Sequence, residues 1–384
     1  METICDKEKC CGCHACFNAC PKNAITMKVD NKGFRYPTID QKKCINCGIC
    51  KKACPIICNK EEKSKEIAAY ACYNKNSSER FNSSSGGIFI LLAKEIIAKD
   101  GVVFGATFDK DFNVNHSYID TERELEKFMG SKYTQSLIGD SYRKVKEFLD
   151  LGRYVLFTGT PCQIEGLKAY LKKDYDRLYT QDIICHGVPS PKAWNNYLEY
   201  QKKKYGKTIK SISFRNKDNG WSKFQMNISF DTKSYSKNHA NDIYMKAFLG
   251  NICLRDSCYN CLFKKKYRES DITLGDYWGI GNIHPEFNDD KGTSIVVINS
   301  KKGKELFDNI KNKIEYIETN LDEAIKYNSA MIKPVNHNKN EEAFINDIDK
   351  LEFDLLINKY IPKPSIVKRL YSKTKKSIKK ILKK

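Results

Sequence analysis

The stretches CCGCHACFNACP (residues 10–21) and CINCGICKKACP (residues 44–55) share one spacing, C-x2-C-x2-C-x3-C-P, and that repetition decides the fold of the N-terminal segment. A [4Fe–4S] cube needs four thiolates at tetrahedral corners. A tight loop with two-residue gaps supplies three of them. The chain then turns away, so the fourth comes from the other repeat. The expected sets are Cys10, Cys13, Cys16 and Cys54 for one cluster, and Cys44, Cys47, Cys50 and Cys20 for the other. Gly12 and Gly48 would let backbone amides approach the sulfurs, and Pro21 and Pro55 would end the short helix after each motif. Zinc also binds paired C-x2-C motifs, but it does not account for two complete repeats that each close on Cys-Pro. Between the repeats, residues 24–33 alternate and turn before 34–39, which predicts a hairpin. Cys5, Cys11, Cys58 and Cys72 are left as spare thiols, with Cys11 next to a ligand.

At 384 residues the chain has room for two or three domains, and a hydrophobic fraction of 41% is enough for real cores. No apolar run approaches the roughly eighteen residues needed to cross a bilayer. The N-terminus reaches cysteine-rich sequence without a basic-then-apolar leader. Seventeen cysteines, mostly at metal-ligand spacings, then point to a reducing cytoplasm and metal binding. The formal charge of +20 invites a nucleic-acid reading, but only ten of the 67 basic residues are Arg. Residues 359–384 hold eleven basic residues and no acidic one, so over half of the net charge lies in a tail. No aromatic-and-Arg platform suits nucleic acid, and none is expected as a partner.

From about residue 65 strand and helix alternate, which predicts an α/β domain over residues 65–330. Ser84, Ser85, Gly86 and Gly87 precede a helix from about Ile88 to Ala98, where small residues leave backbone N–H groups open to a phosphate. A strand over 101–108, a helix near 121–128, the turn Gly130–Tyr133 and a helix to about Leu151 follow. Strands at 154–157 and 178–184 run into Cys162 and Cys185, at the carboxyl ends where open α/β sheets hold ligands. Strands near 209–215 and 224–230 read as antiparallel. After a helix near 241–250, Cys253-x4-Cys258-x2-Cys261 needs a fourth ligand from upstream, and Cys162 and Cys185 are the free cysteines there. A strand over 271–276 then delivers Asp276 into a turn.

The N-terminal segment, residues 1–62, resembles bacterial two-cluster ferredoxins, with an α+β ferredoxin-like fold. Ser84–Gly87, Gly130–Tyr133, Gly159–Gln163, Cys185–Pro191, Cys258 to Lys264 and Asp271–Asp276 occur in an order that resembles the coenzyme F-420 hydrogenase/dehydrogenase beta-subunit family. The likeness covers roughly residues 5–312. It implies an α/β, mixed-sheet, flavin-binding domain and an oxidoreductase that moves electrons between clusters, FAD and a hydride-carrying partner. It implies a third [4Fe–4S] cluster on Cys162, Cys185, Cys258 and Cys261, with Cys253 outside the set, against the bare spacing argument. It implies FAD against Ser84, Ser85, Gly86, Gly87, Gly130, Ser131, Lys132, Tyr133, Gly159, Thr160, Lys264 and Asp276. A deazaflavin coenzyme is one hydride carrier it brings in. An electron-transfer module feeding a partner enzyme is the other reading.

No Ser-His-Asp set or carboxylate pair argues for hydrolysis, and His186 beside Cys185 is the proton donor to weigh against a packing role. Residues 331–384 are expected to form a helical, basic extension. In it Ile366, Leu370, Ile378 and Leu382 make one apolar stripe among basic residues, which suits peripheral contact with anionic lipid on the inner face of the membrane.

Overall fold

The computed structural model describes residues 3–59 and 61–361. In the N-terminal segment β1 (Ile25–Val29) and β2 (Arg35–Ile39) pair antiparallel, as the alternation predicts. The two cysteine loops share a backbone. Gly12 and His14 stand at φ +66° and +63° in the first, and Asn46 and Gly48 at +54° and +71° in the second. Glycine takes that region freely and His and Asn tolerate it, so each loop needs only one Gly.

The body carries β3 (Ala68–Asn74), β4 (Val102–Phe108), β5 (Val114–Ile119), β6 (Val155–Gly159), β7 (Leu178–Ile183), β8 (Ile209–Asn216), β9 (Gln225–Phe230), β10 (Ser234–Asn238), β11 (Ile272–Asp276), β12 (Ser294–Ile298) and β13 (Ile314–Glu318). Eight of these form one sheet in the order β13-β3-β12-β11-β7-β6-β4-β5. The centre, β4-β6-β7-β11, is parallel, and the outer pairings are antiparallel. The sheet is therefore mixed. Central strands such as β6 are buried on both faces, as helix-covered parallel strands must be. The helix expected near 121–128 is a 3-10 run, Glu122–Lys127.

A second sheet, β10-β9-β8, packs with the helices Pro191–Tyr205 and Ile243–Leu249 into a separate aromatic core. Residues 331–361 do not stand apart as an extension. Helices Glu341–Asp347 and Phe353–Tyr360 put Phe344, Ile345, Phe353, Leu356 and Ile357 into that core, because their apolar residues recur at helical spacing. The apolar stripe at Ile366, Leu370, Ile378 and Leu382 lies outside the described residues. Among the described residues no helix is long and apolar enough to cross a membrane.

The N-terminal segment is bonded to the body largely through backbone. Arg143 donates to the carbonyls of Asn18 (3.0 Å) and Phe17 (2.9 Å), and Asn18 Nδ2 donates to Gly139 O (2.9 Å). The helix Pro161–Leu171 lies against the first cysteine loop at Gly166, where an added Cβ would stand 2.9 Å from Cys13 Sγ. Gly166→Val should therefore force the two parts away from each other and lower stability by about 1–3 kcal/mol, the usual cost of overpacking. Denaturant melts check this, and an unchanged midpoint would show that the contact is not tight.

Candidate functional site

Cys20, Cys44, Cys47 and Cys50 line one small cavity beneath the β1-β2 hairpin, so the structure brings together the second expected set. Cys10, Cys13 and Cys16 lie in the first loop, and Cys54 packs with Cys16 under Ile4 and Ile25. Backbone amides point at these sulfurs: Ala24 N donates to Cys20 Sγ at 3.2 Å, and Gly12 and Ala15 do the same for Cys10 and Cys13. Cys5, left over in the sequence, hydrogen-bonds both Cys10 and Cys54.

In the body, Cys162 follows β6 and Cys185 follows β7, at the ends of strands paired Thr158 to Gln181 and Gly159 to Asp182. Cys258 and Cys261 come to the same place from the loop before β11. All four line a cavity of about 1370 Å³. Burial pushes the Cys185 thiol up to about 12. Buried thiols of this kind ionise readily only against strong positive charge, which iron supplies. Val188 N donates to Cys258 Sγ at 3.4 Å. Cys253 stands elsewhere, buried in the aromatic core with its carbonyl taken by Ser190 N (2.7 Å). Cys11 lines the cavity as well, and its thiol reaches both Cys13 and Cys162. It touches one cysteine of the first N-terminal set and one of the body set. The cysteines ring voids instead of converging: among the described residues no three His, Cys, Asp or Glu side chains are grouped to hold a single ion.

A second cavity, of about 660 Å³, opens across the carboxyl ends of β6, β7 and β11 and is roofed by the β8-β10 unit. Its size is that of a cofactor pocket. Ser84, Ser85, Gly87, Gly130, Ser131, Lys132, Tyr133, Gly159, Thr160 and Asp276 all line it, as does His186. The loops at Ser84 and Ser131 are tied by two hydrogen bonds to Ser84 Oγ, of 2.7 and 2.8 Å. Burial pushes Lys132 down to about 8, and its Nζ donates to the carbonyls of Met129 and Gly130 and lies over the Phe108 ring, with no carboxylate partner among the described residues. An anionic group there would stabilise its charged form.

Three expected residues play other parts. Gly86 is consumed by the fold, its N–H donating to Ser294 Oγ (3.0 Å) and its carbonyl accepting from Asn74 N (2.7 Å). Lys264 lies on the cysteine side of the wall, donating to the carbonyls of Cys185, His186 and Ala330 at 2.7, 3.2 and 3.0 Å. Asp276 is occupied by Arg215 (2.8 and 2.9 Å) and by Trp221 Nε1 (2.8 Å). His186 is less basic than usual through burial, with Nε2 2.7 Å from Asn251 Oδ1 and its ring edge-on to Phe248.

Sequence reasoning missed Arg215 and His116. Arg215, at the end of β8, reaches Tyr133 OH (3.2 Å) and Ser84 O (3.2 Å), and stacks 4.0 Å from the centre of the Phe224 ring. Its Nε is a buried donor with no partner. His116 donates from Nε2 to Thr158 O (3.0 Å), which leaves Nδ1 as a buried, unpartnered acceptor, and burial holds the ring down to about 4. A lone Arg or His in a strand pattern gave no hint of either role. Both residues line the polar cavity, while the unpartnered nitrogens themselves are buried behind its surface. Thr160, Cys185, Gly187 and Val188 line both cavities, so one thin wall separates them.

The family described as 4Fe-4S dicluster domain matches residues 9–58, and the family described as the carboxyl-terminal part of the coenzyme F420 hydrogenase/dehydrogenase beta subunit matches residues 152–324. A search of the curated proteins finds no match. Among solved structures, the chain is similar to a chain of the F420-reducing [NiFe] hydrogenase complex from Methanosarcina barkeri. The identity is 18% and the TM-score 0.48, over 74% of this chain and 92% of that one.

The arrangement predicts a clean separation among the five cysteines of the body cavity and its surroundings. Cys162→Ser and Cys185→Ser should each lose one cluster, about four irons, while the N-terminal pair survives. Cys253→Ala should keep its full iron content and reduced-state spectrum. Iron analysis and low-temperature paramagnetic spectra check this, and loss of a cluster in Cys253→Ala alone would reverse the assignment.

Proposed function

We propose that this chain, in which a 4Fe-4S dicluster domain precedes the C-terminal domain of coenzyme F420 hydrogenase/dehydrogenase beta subunits, is an oxidoreductase that moves electrons between three [4Fe–4S] clusters and FAD, and on to or from a small hydride carrier. The clusters would pass electrons singly and the flavin would exchange them in pairs as hydride. Cys10, Cys13, Cys16 and Cys54 would hold one cluster, Cys20, Cys44, Cys47 and Cys50 the second, and Cys162, Cys185, Cys258 and Cys261 the third. Ser84, Ser85 and Gly87, with the loop Gly130–Tyr133 and Gly159-Thr160, would bind the flavin nucleotide, and Lys132 would supply its positive environment. His186, beside Cys185, is the proposed proton-handling group. The hydride carrier would be of the deazaflavin kind, as the family's name suggests.

The observation that carries this reading is the shared wall. Cys185 lines the cysteine cavity and the polar cavity together, so whatever fills one lies against whatever fills the other. A simple relay would need no cavity of 660 Å³ beside its cysteines.

Electrons would meet a protein partner at the second N-terminal site. Cys47 is exposed there, next to exposed Ile45 and among Lys22, Lys42, Lys43, Lys51 and Lys52, and the acidic neighbour Asp40 lies 3.9 Å from the Lys43 ammonium. Such a face suits an acidic electron-carrier protein.

Anaerobically prepared protein should carry about twelve irons and one FAD. About eight irons without flavin would leave only the relay. Its reduction by an acidic carrier protein should slow at least about tenfold from low to high salt, and Lys42→Glu with Lys51→Glu should slow it at low salt without loss of iron. A rate indifferent to both would place the docking face elsewhere.

A further inference from the structure

Among the described residues four arginines are nearly or wholly buried: Arg80, Arg215, Arg255 and Arg268. Three of them meet an aspartate, namely Asp289 for Arg80 at 2.7 Å, Asp276 for Arg215 at 2.8 Å and Asp182 for Arg268 at 3.0 Å. Arg255 has no carboxylate partner among the described residues, although it is the most buried of the four, at 0% exposure. Its Nε donates to Cys10 O (2.7 Å), one Nη to Gln135 Oε1 (2.9 Å), and the other to Arg35 O (3.0 Å) and Cys10 Sγ (3.7 Å). The guanidinium lies over the ring of Tyr36, 4.1 Å from its centre, and near that of Phe34, at 5.3 Å. Its partners are neutral carbonyls, an amide, aromatic faces and one sulfur.

A buried charge left without a counter-charge is strongly unfavourable. No carboxylate among the described residues supplies the countercharge, and the acceptor that can carry it is Cys10 Sγ. A thiolate-bound cube is an anion whose negative charge grows by one with each electron taken up. A fixed cation against one of its sulfurs therefore favours the reduced form.

We propose that Arg255 is the built-in positive charge that raises the reduction potential of the N-terminal cluster held by Cys10. The inference rests on the cluster reading above and goes beyond it by naming the residue that tunes one centre. The packing is specific. A Cβ at Gly12, inside the first cysteine loop, would stand 2.8 Å from an Arg255 Nη and 2.9 Å from its Cζ, so the glycine makes room for the guanidinium. The second repeat has Asn46 at that place, and a Cβ at Gly48, two residues on, would meet nothing within 4 Å. Arg255 comes from the body, three residues before Cys258, so a body residue supplies the charge for an N-terminal cluster. It acts as a positioning and tuning residue and leaves the chemistry to the cofactors.

The test is a redox titration of the full chain, reconstituted anaerobically and followed by low-temperature paramagnetic spectra. Arg255→Gln removes the charge and Arg255→Lys keeps it. Gln135→Glu leaves Arg255 in place but sets a carboxylate against it. Arg143→Gln, at the same junction but with carbonyls and an amide, not a cysteine sulfur, as its partners, is the control. In Arg255→Gln and in Gln135→Glu, one cluster couple should move to lower potential by at least tenfold in its equilibrium constant, about 59 mV for one electron. The other couples should stay, as should all couples in Arg255→Lys and Arg143→Gln. If Arg255→Gln fails to hold its clusters, Gln135→Glu alone decides. Unmoved couples in Gln135→Glu, or an equal shift in Arg255→Lys and Arg255→Gln, would overturn the proposal. A wild-type protein short of its three clusters would instead fail the cluster reading, before any variant is compared.

Discussion

The parallel pairing of β6 with β7 sets Thr158 beside Gln181 and Gly159 beside Asp182, and both strands leave the sheet at the same level. Parallel strands must end with their carboxyl ends together, and the chain has to turn over that edge before each next helix. Cys162 opens the helix after β6 and Cys185 begins the loop after β7, so strand register alone brings two distant cysteines together. The same edge exposes backbone and small side chains at Gly159, Thr160 and Gly187, which line the polar cavity or the wall between the cavities. The cysteine ring and the nucleotide-sized cavity are thus two consequences of one pairing.

Docking of the N-terminal segment extends this edge outward. Its first cysteine loop meets the helix after β6 at Gly166 and the body arginine Arg255, and Cys11 sits between Cys13 and Cys162. Most of the direct bonds at this junction end on backbone carbonyls, which are fixed once the loop has formed. Such bonds hold position without depending on long flexible side chains, and that suits centres whose separation governs electron transfer. The outer site behaves oppositely: Cys47 is exposed and its surroundings are lysines, as expected where a partner comes and goes.

What could be read from the sequence follows from how local each signal is. The twin cysteine repeats, the hairpin between them and the strands ending at Cys162 and Cys185 are written in short spacings and apolar runs, and the structure has each element. The outer antiparallel strands β3, β12 and β13 depend on pairing across more than two hundred residues, which no local pattern encodes. Spacing alone tied Cys253 to Cys258, but the chain between them turns so that Cys253 faces the aromatic core. Lys264 and Gly86 sit beside loops that line the polar cavity, yet local geometry points one to the other side of the wall and spends the other on the sheet. Arg215, His116 and Arg255 were invisible because their meaning lies in what they lack: a partner for Nε, a partner for Nδ1, and a carboxylate.

On the proposed reading, the cysteine ring at the end of β6 and β7 is the obligatory connection between the N-terminal cysteine sites and the polar cavity. Cys258→Ser tests it most directly, because Cys258 lines the cysteine cavity and not the polar one. Electrons are supplied from a one-electron carrier protein, and rapid freezing follows the cluster spectra while absorbance follows the flavin. The variant should keep its FAD and reduce its N-terminal clusters normally, while the flavin stays oxidised on the timescale of wild-type turnover. Flavin reduction at the wild-type rate in the absence of the body cluster would contradict it.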